Sequence, residues 1–119
     1  MSDQKPLVLV VDDEPMLRDL AIEIAEDAGF EAIGAATADE ALELLRSRSQ
    51  VRIVFTDVDM PGSMNGIALA RSIHDQWPTI RLIVTSGGAR PDAEQMSDRF
   101  LPKPYRCQTL IDTLQMMAA

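Results

Sequence analysis

Two apolar runs in this chain end in carboxylates. Leu7-Val8-Leu9-Val10-Val11 runs into Asp12, Asp13 and Glu14, and Ile53-Val54-Phe55-Thr56 runs into Asp57, Val58 and Asp59, with Pro61 stopping regular structure soon after. Runs this short and this rich in β-branched residues read as buried strands. An acid at the carboxyl end of a strand in an open parallel sheet lies in the crevice where ligands gather. If the two strands lie side by side, three carboxylates crowd together. At an effective dielectric near 20, each like-charged pair about 5 Å apart costs roughly 3 kcal/mol. Such a cluster calls for a hard cation, and carboxylate oxygens supplemented by waters and a phosphate oxygen suit Mg²⁺.

The elements that must position these acids follow from periodicity. Leu17, Leu20, Ala21, Ile24, Ala25 and Ala28 recur at three- and four-residue steps and predict a helix stopped by Gly29. Phe30 to Ala35 reads as a second strand. Thr37-Ala38-Asp39-Glu40 is a capping box opening a helix with Ala38, Ala41, Leu42 and Leu45 inward. After the Asp57 strand, Gly66, Leu69, Ala70, Ile73 and Trp77 share one face of a third helix that Pro78 ends. Ile80 to Thr85 is a fourth strand, Phe100-Leu101 a brief fifth, and Cys107, Leu110, Ile111 and Leu114 the inner face of a closing helix. The segment from Gly87 to Arg99 has few apolar positions and reads as a loop with one or two helical turns after Pro91. Strand and helix alternate throughout, and the strands are continuously apolar. The pattern predicts an α/β fold, a parallel sheet covered by helices on both faces and joined by right-handed crossovers.

Length and charge narrow the function. A chain of 119 residues holds one domain with a real core, so residues 1–119 read as a single unit without linkers or repeats. A net charge of −8 argues against direct nucleic-acid binding or insertion at an anionic membrane. The single cysteine, Cys107, excludes an internal disulfide and fits a reducing cytoplasm. No leader-like segment opens the sequence, and no apolar run approaches the ~20 residues that span a bilayer.

Acids after strand one, Asp57 after strand three, Ser86-Gly87 after strand four and Lys103-Pro104 after strand five form an ordered set. In that order, and over essentially the whole chain, the set resembles the receiver domain of two-component response regulators. The resemblance implies a doubly wound five-stranded sheet of flavodoxin-like order 2-1-3-4-5. It implies a phosphoprotein in which Asp57 takes a phosphoryl group from a sensor histidine kinase or a histidine phosphotransfer protein; with only the closing helix after Lys103, the chain reads as a stand-alone, chemotaxis-regulator-like receiver or as one cut from a larger protein. Output is then a change in binding to a downstream protein or onward relay of the phosphoryl group. Such a chain is a signalling phosphoacceptor that catalyses only its own phosphorylation and dephosphorylation. Mg²⁺ is implied at Asp12, Asp13, Asp57 and the backbone carbonyl of Asp59. Lys103 and the Ser86 hydroxyl are implied on the phosphoryl oxygens, with the backbone N–H groups of Val58 and Gly87 beside them. A switch is implied between Ser86 and Phe100, the aromatic three residues before the lysine.

The sequence departs from that pattern in four places. The loop Met60-Pro61-Gly62-Ser63-Met64-Asn65-Gly66 is one residue longer than usual, which predicts a surface bulge. Ser86 to Lys103 is several residues short, so the fourth helix is shortened and the family's use of it for dimerisation or target binding is weakened. Phe100 lacks the hydroxyl of the commoner tyrosine, so its inward and outward positions differ by packing alone. Asp59 is an acid, and Gly88 leaves the opposite side of the site open to water; together they favour relatively quick loss of phosphate.

Plainer readings stand beside these. A lone Asp at a strand end is ordinarily a turn or cap residue, and only the full constellation argues otherwise. Glu14 reads as a first-turn acid complementing a helix dipole, Ser86 alone as a turn former, and Lys103 alone as a solvated charge, with its bond to Pro104 a candidate for the cis form. His74 has no second histidine nearby to share a metal. Cys107 and Trp77 fall on core faces and read as packing residues; Met116-Met117 is either a packing seam or a frayed end. Two other functions compete. Asp57-Val58-Asp59 after an apolar strand also resembles the signature of haloacid dehalogenase-type phosphatases, where the first Asp is nucleophile and the second general acid. That family places the signature on its first strand in a longer chain and leaves Asp12-Asp13 unexplained. The third class is a constitutive binding module that is never phosphorylated.

Overall fold

A computed structural model describes residues 6–59, 66–88 and 91–118. Its ten elements alternate without exception: β1 Leu7–Val11, α1 Pro15–Asp27, β2 Glu31–Ala35, α2 Ala38–Ser47, β3 Val51–Asp57, α3 Gly66–Gln76, β4 Arg81–Ser86, α4 Pro91–Met96, β5 Arg99–Pro102 and α5 Cys107–Ala118. All four strand pairings are parallel, in the order β2-β1-β3-β4-β5. The chain reverses winding direction between β2 and β3, so β1 and β3 are neighbours and their carboxyl ends flank the switch point.

The continuous apolar strands are explained by two cores, one on each face of the sheet. Leu7, Leu9 and Val11 of β1, with Val54 of β3 and Val84 of β4, pack with Ala38, Ala41, Leu42 and Leu45 of α2 and Leu69, Ala70 and Ile73 of α3. The alternate positions, Val8, Val10, Ile53, Phe55, Ile83 and Leu101, pack with Ala21, Ile24 and Ala25 of α1 and Leu110 and Leu114 of α5. Strand alternation therefore assigns each residue to a layer, and it continues into the site.

Local signals in the sequence are realised at both ends of the helices. The Thr37 hydroxyl accepts from the Glu40 N–H at 3.1 Å, while the Glu40 carboxylate reaches back to the N–H of Ala36, at 2.8 Å, one residue beyond the cap itself. Gly29 takes φ +99 after α1, a conformation that glycine adopts without penalty. The shortened fourth helix is six residues long. The bulge expected between Met60 and Gly66 falls on residues 60–65, outside the described ones.

Three inward assignments are corrected. Leu17 and Leu20 are 42% and 47% exposed, and Cys107 is exposed as well. Both α1 and α5 begin beyond the carboxyl edge of the sheet, so their first turns overhang it and have no sheet beneath them, although Leu17 and Cys107 lie on the apolar stripe. Leu20 is also set roughly a quarter turn from the Ala21–Ile24–Ala25 stripe. Trp77 is half-buried against the α2/α3 core, as a packing residue should be. The terminal methionines divide: Met117 packs on the α1/α5 core, and Met116 is 51% exposed with its sulfur accepting from Arg99 at 2.8 Å.

The corrected helix face makes a contrast testable by urea denaturation. Ile24→Ala empties a buried site and is expected to cost about 2–5 kcal/mol; Leu20→Ala, on the open side, is expected to cost less than about 1 kcal/mol.

Candidate functional site

Alternation carries Asp12, Asp57 and Lys103 to the same place. Asp12 continues the series Val8, Val10; Asp57 continues Ile53, Phe55; Lys103 continues from Leu101, across β4. Asp12, Asp13 and Asp57 each offer a carboxylate oxygen, and these atoms lie within 4.8 Å of one another. Asp57 is 5% exposed and Asp12 9%, while Asp13 is open to solvent. Three carboxylates this close, two of them withdrawn from water, form a donor set suited to a hard divalent cation.

Each acid is held. The Asp12 backbone N–H donates to the Ala35 carbonyl at 3.1 Å, its carbonyl accepts from the Arg18 guanidinium at 3.0 Å, and its side chain accepts from the Glu14 N–H at 2.9 Å. Glu14 thus contributes its amide to the site and its carboxylate is exposed, in keeping with the plainer reading of that residue. The Asp57 carboxylate accepts from the Asp59 N–H at 2.8 Å through Oδ1 and from Lys103 Nζ at 2.6 Å through Oδ2. The Lys103–Pro104 bond is cis.

Electrostatics follow from this crowding. Burial pushes the Asp12 carboxyl up, and the charges of Asp57 and Asp13 push the same way against the Glu14 hydrogen bond and Lys103. Burial alone would lower Lys103; the hydrogen bond and charge of Asp57, with Asp12 and Asp59 behind it, more than compensate and leave it raised, so it is an ammonium at neutral pH. Tyr105 stands behind Asp57, its ring edge-on to Phe55 at 5.7 Å and 83°, and burial with the nearby acids pushes its hydroxyl up to about 12.

The far side of the site contains an arrangement that the sequence did not announce. Ser86 is 1% exposed, and its hydroxyl donates to the Asp59 carboxylate at 3.0 and 3.1 Å. The Gly87 N–H donates to the same carboxylate at 2.8 Å. The Gly88 N–H donates to the Ser86 oxygen at 3.2 Å, and the Lys103 N–H to the Ser86 carbonyl at 2.9 Å. Val58, whose N–H was expected to face a phosphoryl group, donates it to the Thr85 carbonyl at 3.1 Å; parallel pairing with β4 takes that amide, and the amide turned toward Asp57 is that of Asp59. Phe100 is half-buried against the α2/α3 core, paired with Val84, on the sheet face that Ser86 shares two residues further along. Sequence reasoning missed Tyr105 as a site residue, and it missed the pairing of the Asp59 carboxylate with Ser86 and Gly87. The only signals for them were an aromatic two residues after Lys103 and an acid two after Asp57.

The comparisons with known proteins agree with this geometry. The family model described as response regulator receiver domain matches residues 8–115. The chain belongs to that family. The receiver is 36% identical over 88 residues to a protein-glutamate methylesterase/protein-glutamine glutaminase of Hahella chejuensis, covering 72% of this chain and 24% of the relative. It is 34% identical over 116 residues to sensor kinase CckA of Brucella abortus, covering 92% and 12%. A crystal structure of a response regulator receiver protein from Pseudomonas putida superposes with a TM-score of 0.87 at 29% identity, covering 97% and 99% of the two chains. The receiver thus spans a quarter or less of these two curated relatives. It is homologous to the phosphoacceptor domains of response regulators and sensor kinases, and the phosphatase alternative is not favoured. Among the described residues no helix is long and apolar enough to cross a membrane.

Two outcomes follow from the charge arrangement. Asp12→Asn keeps the oxygen that accepts from Glu14 and removes one crowded charge, so in the presence of a chelator it is expected to gain about 1–2 kcal/mol in denaturant unfolding. Tyr105 is the one tyrosine in the chain, and a phenol raised on folding loses stability as pH rises. Its phenolate absorbance is expected to stay low through the ordinary tyrosine range near pH 10 in the native protein and to rise there once the chain is unfolded in urea.

Proposed function

We propose that Asp57 accepts a phosphoryl group from a phosphohistidine on a sensor histidine kinase or histidine phosphotransfer protein, and that the phosphorylated receiver acts through a change in protein binding or by relay. The observation that carries this reading is Lys103 Nζ at 2.6 Å from an Asp57 carboxylate that also belongs to the three-carboxylate cluster. An Asp57 oxygen attacks phosphorus in line, the bond from phosphorus to the imidazole nitrogen breaks, and the electron pair leaves with the ring. Lys103 places a fixed positive charge against the incoming oxygens and stays paired with the acceptor throughout. The Ser86 hydroxyl and the Gly87 N–H are the neutral donors within reach of the group.

Mg²⁺ fits the donor set: Asp12, Asp13 and Asp57 would hold it through carboxylates and Asp59 through its backbone carbonyl. Bound there, it supplies the charge that neutralises the carboxylates and the phosphoryl oxygens. For output, Ser86 and Phe100 share one face of the sheet, which supports their coupling as a two-position switch. Gly88 has open space where a side chain would stand, leaving a path for water that supports relatively quick loss of phosphate. The exposed apolar side chains of Met16, Leu17 and Leu20 lie on the helix leaving the acid cluster and give a donor protein a surface beside the acceptor. Residues 1–119 act as one receiver unit, and a cytoplasmic setting suits its phosphodonors.

The test is intact mass after incubation with a small-molecule phosphodonor, with and without Mg²⁺, beside Asp57→Asn. A gain of one phosphoryl group that needs both Mg²⁺ and Asp57 is expected. No gain under any condition would leave a constitutive binding module, and steady turnover of a phosphomonoester would restore the phosphatase.

A further inference from the structure

The donors assigned to the phosphoryl group are already in use. The Ser86 hydroxyl and the Gly87 N–H both converge on the Asp59 carboxylate, at 3.0 and 2.8 Å, while the Asp59 N–H holds the acceptor Asp57 at 2.8 Å. A hydroxyl has one proton to donate, and a backbone amide has one. Neither can serve the Asp59 carboxylate and a phosphoryl oxygen at full strength together. Asp59 is exposed and Ser86 is 1% exposed, so the carboxylate can leave toward water and release the hydroxyl.

We propose that the Asp59 side chain is an internal stand-in for the phosphoryl group, occupying its Ser86 and Gly87 donors until phosphorylation of Asp57 displaces it. The inference rests on the reading of Asp57 as acceptor and gives the Asp59 carboxylate a specific role in it. Both ligands of the donor pair are anions, and a phosphoryl group brings up to about two negative charges at neutral pH. Repulsion and competition for the same protons therefore act in one direction, expelling Asp59. Two consequences follow. The unphosphorylated receiver spends the Ser86 hydroxyl on Asp59, and the affinity of the site for a phosphoryl group is set below what its donors would otherwise give.

The experiment uses beryllium trifluoride with Mg²⁺ as the phosphoryl probe, titrated by NMR into the full chain and into Asp59→Ala, Asp59→Asn, Ser86→Ala, the double variant Ser86→Ala/Asp59→Ala, and Asp57→Asn. Asp59→Ala is expected to bind the probe at least about tenfold more tightly than the unaltered protein, the scale of charge-assisted hydrogen bonds released from competition. Asp59→Asn, which keeps the shape and loses the charge, is expected to fall between them. Before any probe is added, the Gly87 amide proton of Asp59→Ala is expected to move upfield and exchange faster, a change that a purely structural role at Asp57 would not cause. In the Ser86→Ala background the gain from Asp59→Ala is expected to shrink to under about threefold. Equal affinity of the first two proteins, an unmoved Gly87 amide, or an undiminished gain without Ser86 would each overturn the proposal, the last by reducing Asp59 to a distant like charge. Binding that survives Asp57→Asn, or that is absent from every protein including the unaltered one, would instead remove the acceptor reading and this inference with it.

Discussion

Like-charge crowding at the ends of β1 and β3 is the constraint on which the site depends. Carboxylate oxygens from Asp12, Asp13 and Asp57 within 4.8 Å of one another repel, and the framework keeps them together. That framework is a sheet with a packed core on each face, whose strands cannot shift by one residue without turning every apolar side chain to the wrong layer. The interaction opposing the repulsion comes from far away in sequence. Lys103 reaches Asp57 from beyond β5, across β4, and its ammonium is favoured because the acids gathered there outweigh the cost of its burial.

Hydrogen bonds tie the loops beyond the sheet into one unit. Lys103 donates its backbone N–H to the Ser86 carbonyl, Ser86 donates its hydroxyl to Asp59, and Asp59 donates its backbone N–H to Asp57, which closes the circuit by accepting from the Lys103 side chain. Three strand ends are thereby coupled through four residues. In such a network a change at one member alters the strength of the others. New charge at Asp57 is therefore felt at Ser86 and at the start of the loop after Lys103, without any rearrangement of the sheet.

How much of this was legible in the sequence depends on the kind of signal. Strands buried on both faces left continuous apolar runs, and helices left three- and four-residue spacing, so element order and the parallel sheet could be read directly. Asp57, Asp12, Asp13, Lys103 and Ser86 were legible because strand ends convert sequence position into spatial position. The inward assignment of Leu17, Leu20 and Cys107 failed for a geometric reason: periodicity gives the direction of a side chain but not whether the sheet extends beneath it. The pairing of the Val58 amide with Thr85 was not legible because a parallel neighbour competes for backbone donors, and that competition depends on register. The Asp59 carboxylate was invisible as a ligand of Ser86 and Gly87, since the pairing spans 27 and 28 residues and rests on the turn that follows Asp57.

The same geometry explains why a shortened α4 is compatible with an intact site. Nearly every group described in the site hangs from a strand end or the residue just beyond it, and the hydrogen bonds described there run between β3, β4, β5 and the residues that follow them. Chemistry and outer surface are therefore specified by different parts of the chain. The strand ends place the groups around Asp57, and the helix faces form the outer surface. Loss of length in α4 removes surface without touching a carboxylate, a donor or the lysine. The apolar overhang of α1, by contrast, follows directly on the acids in sequence, so under the proposed reading a change there would alter the surface beside the site and leave the groups within it in place.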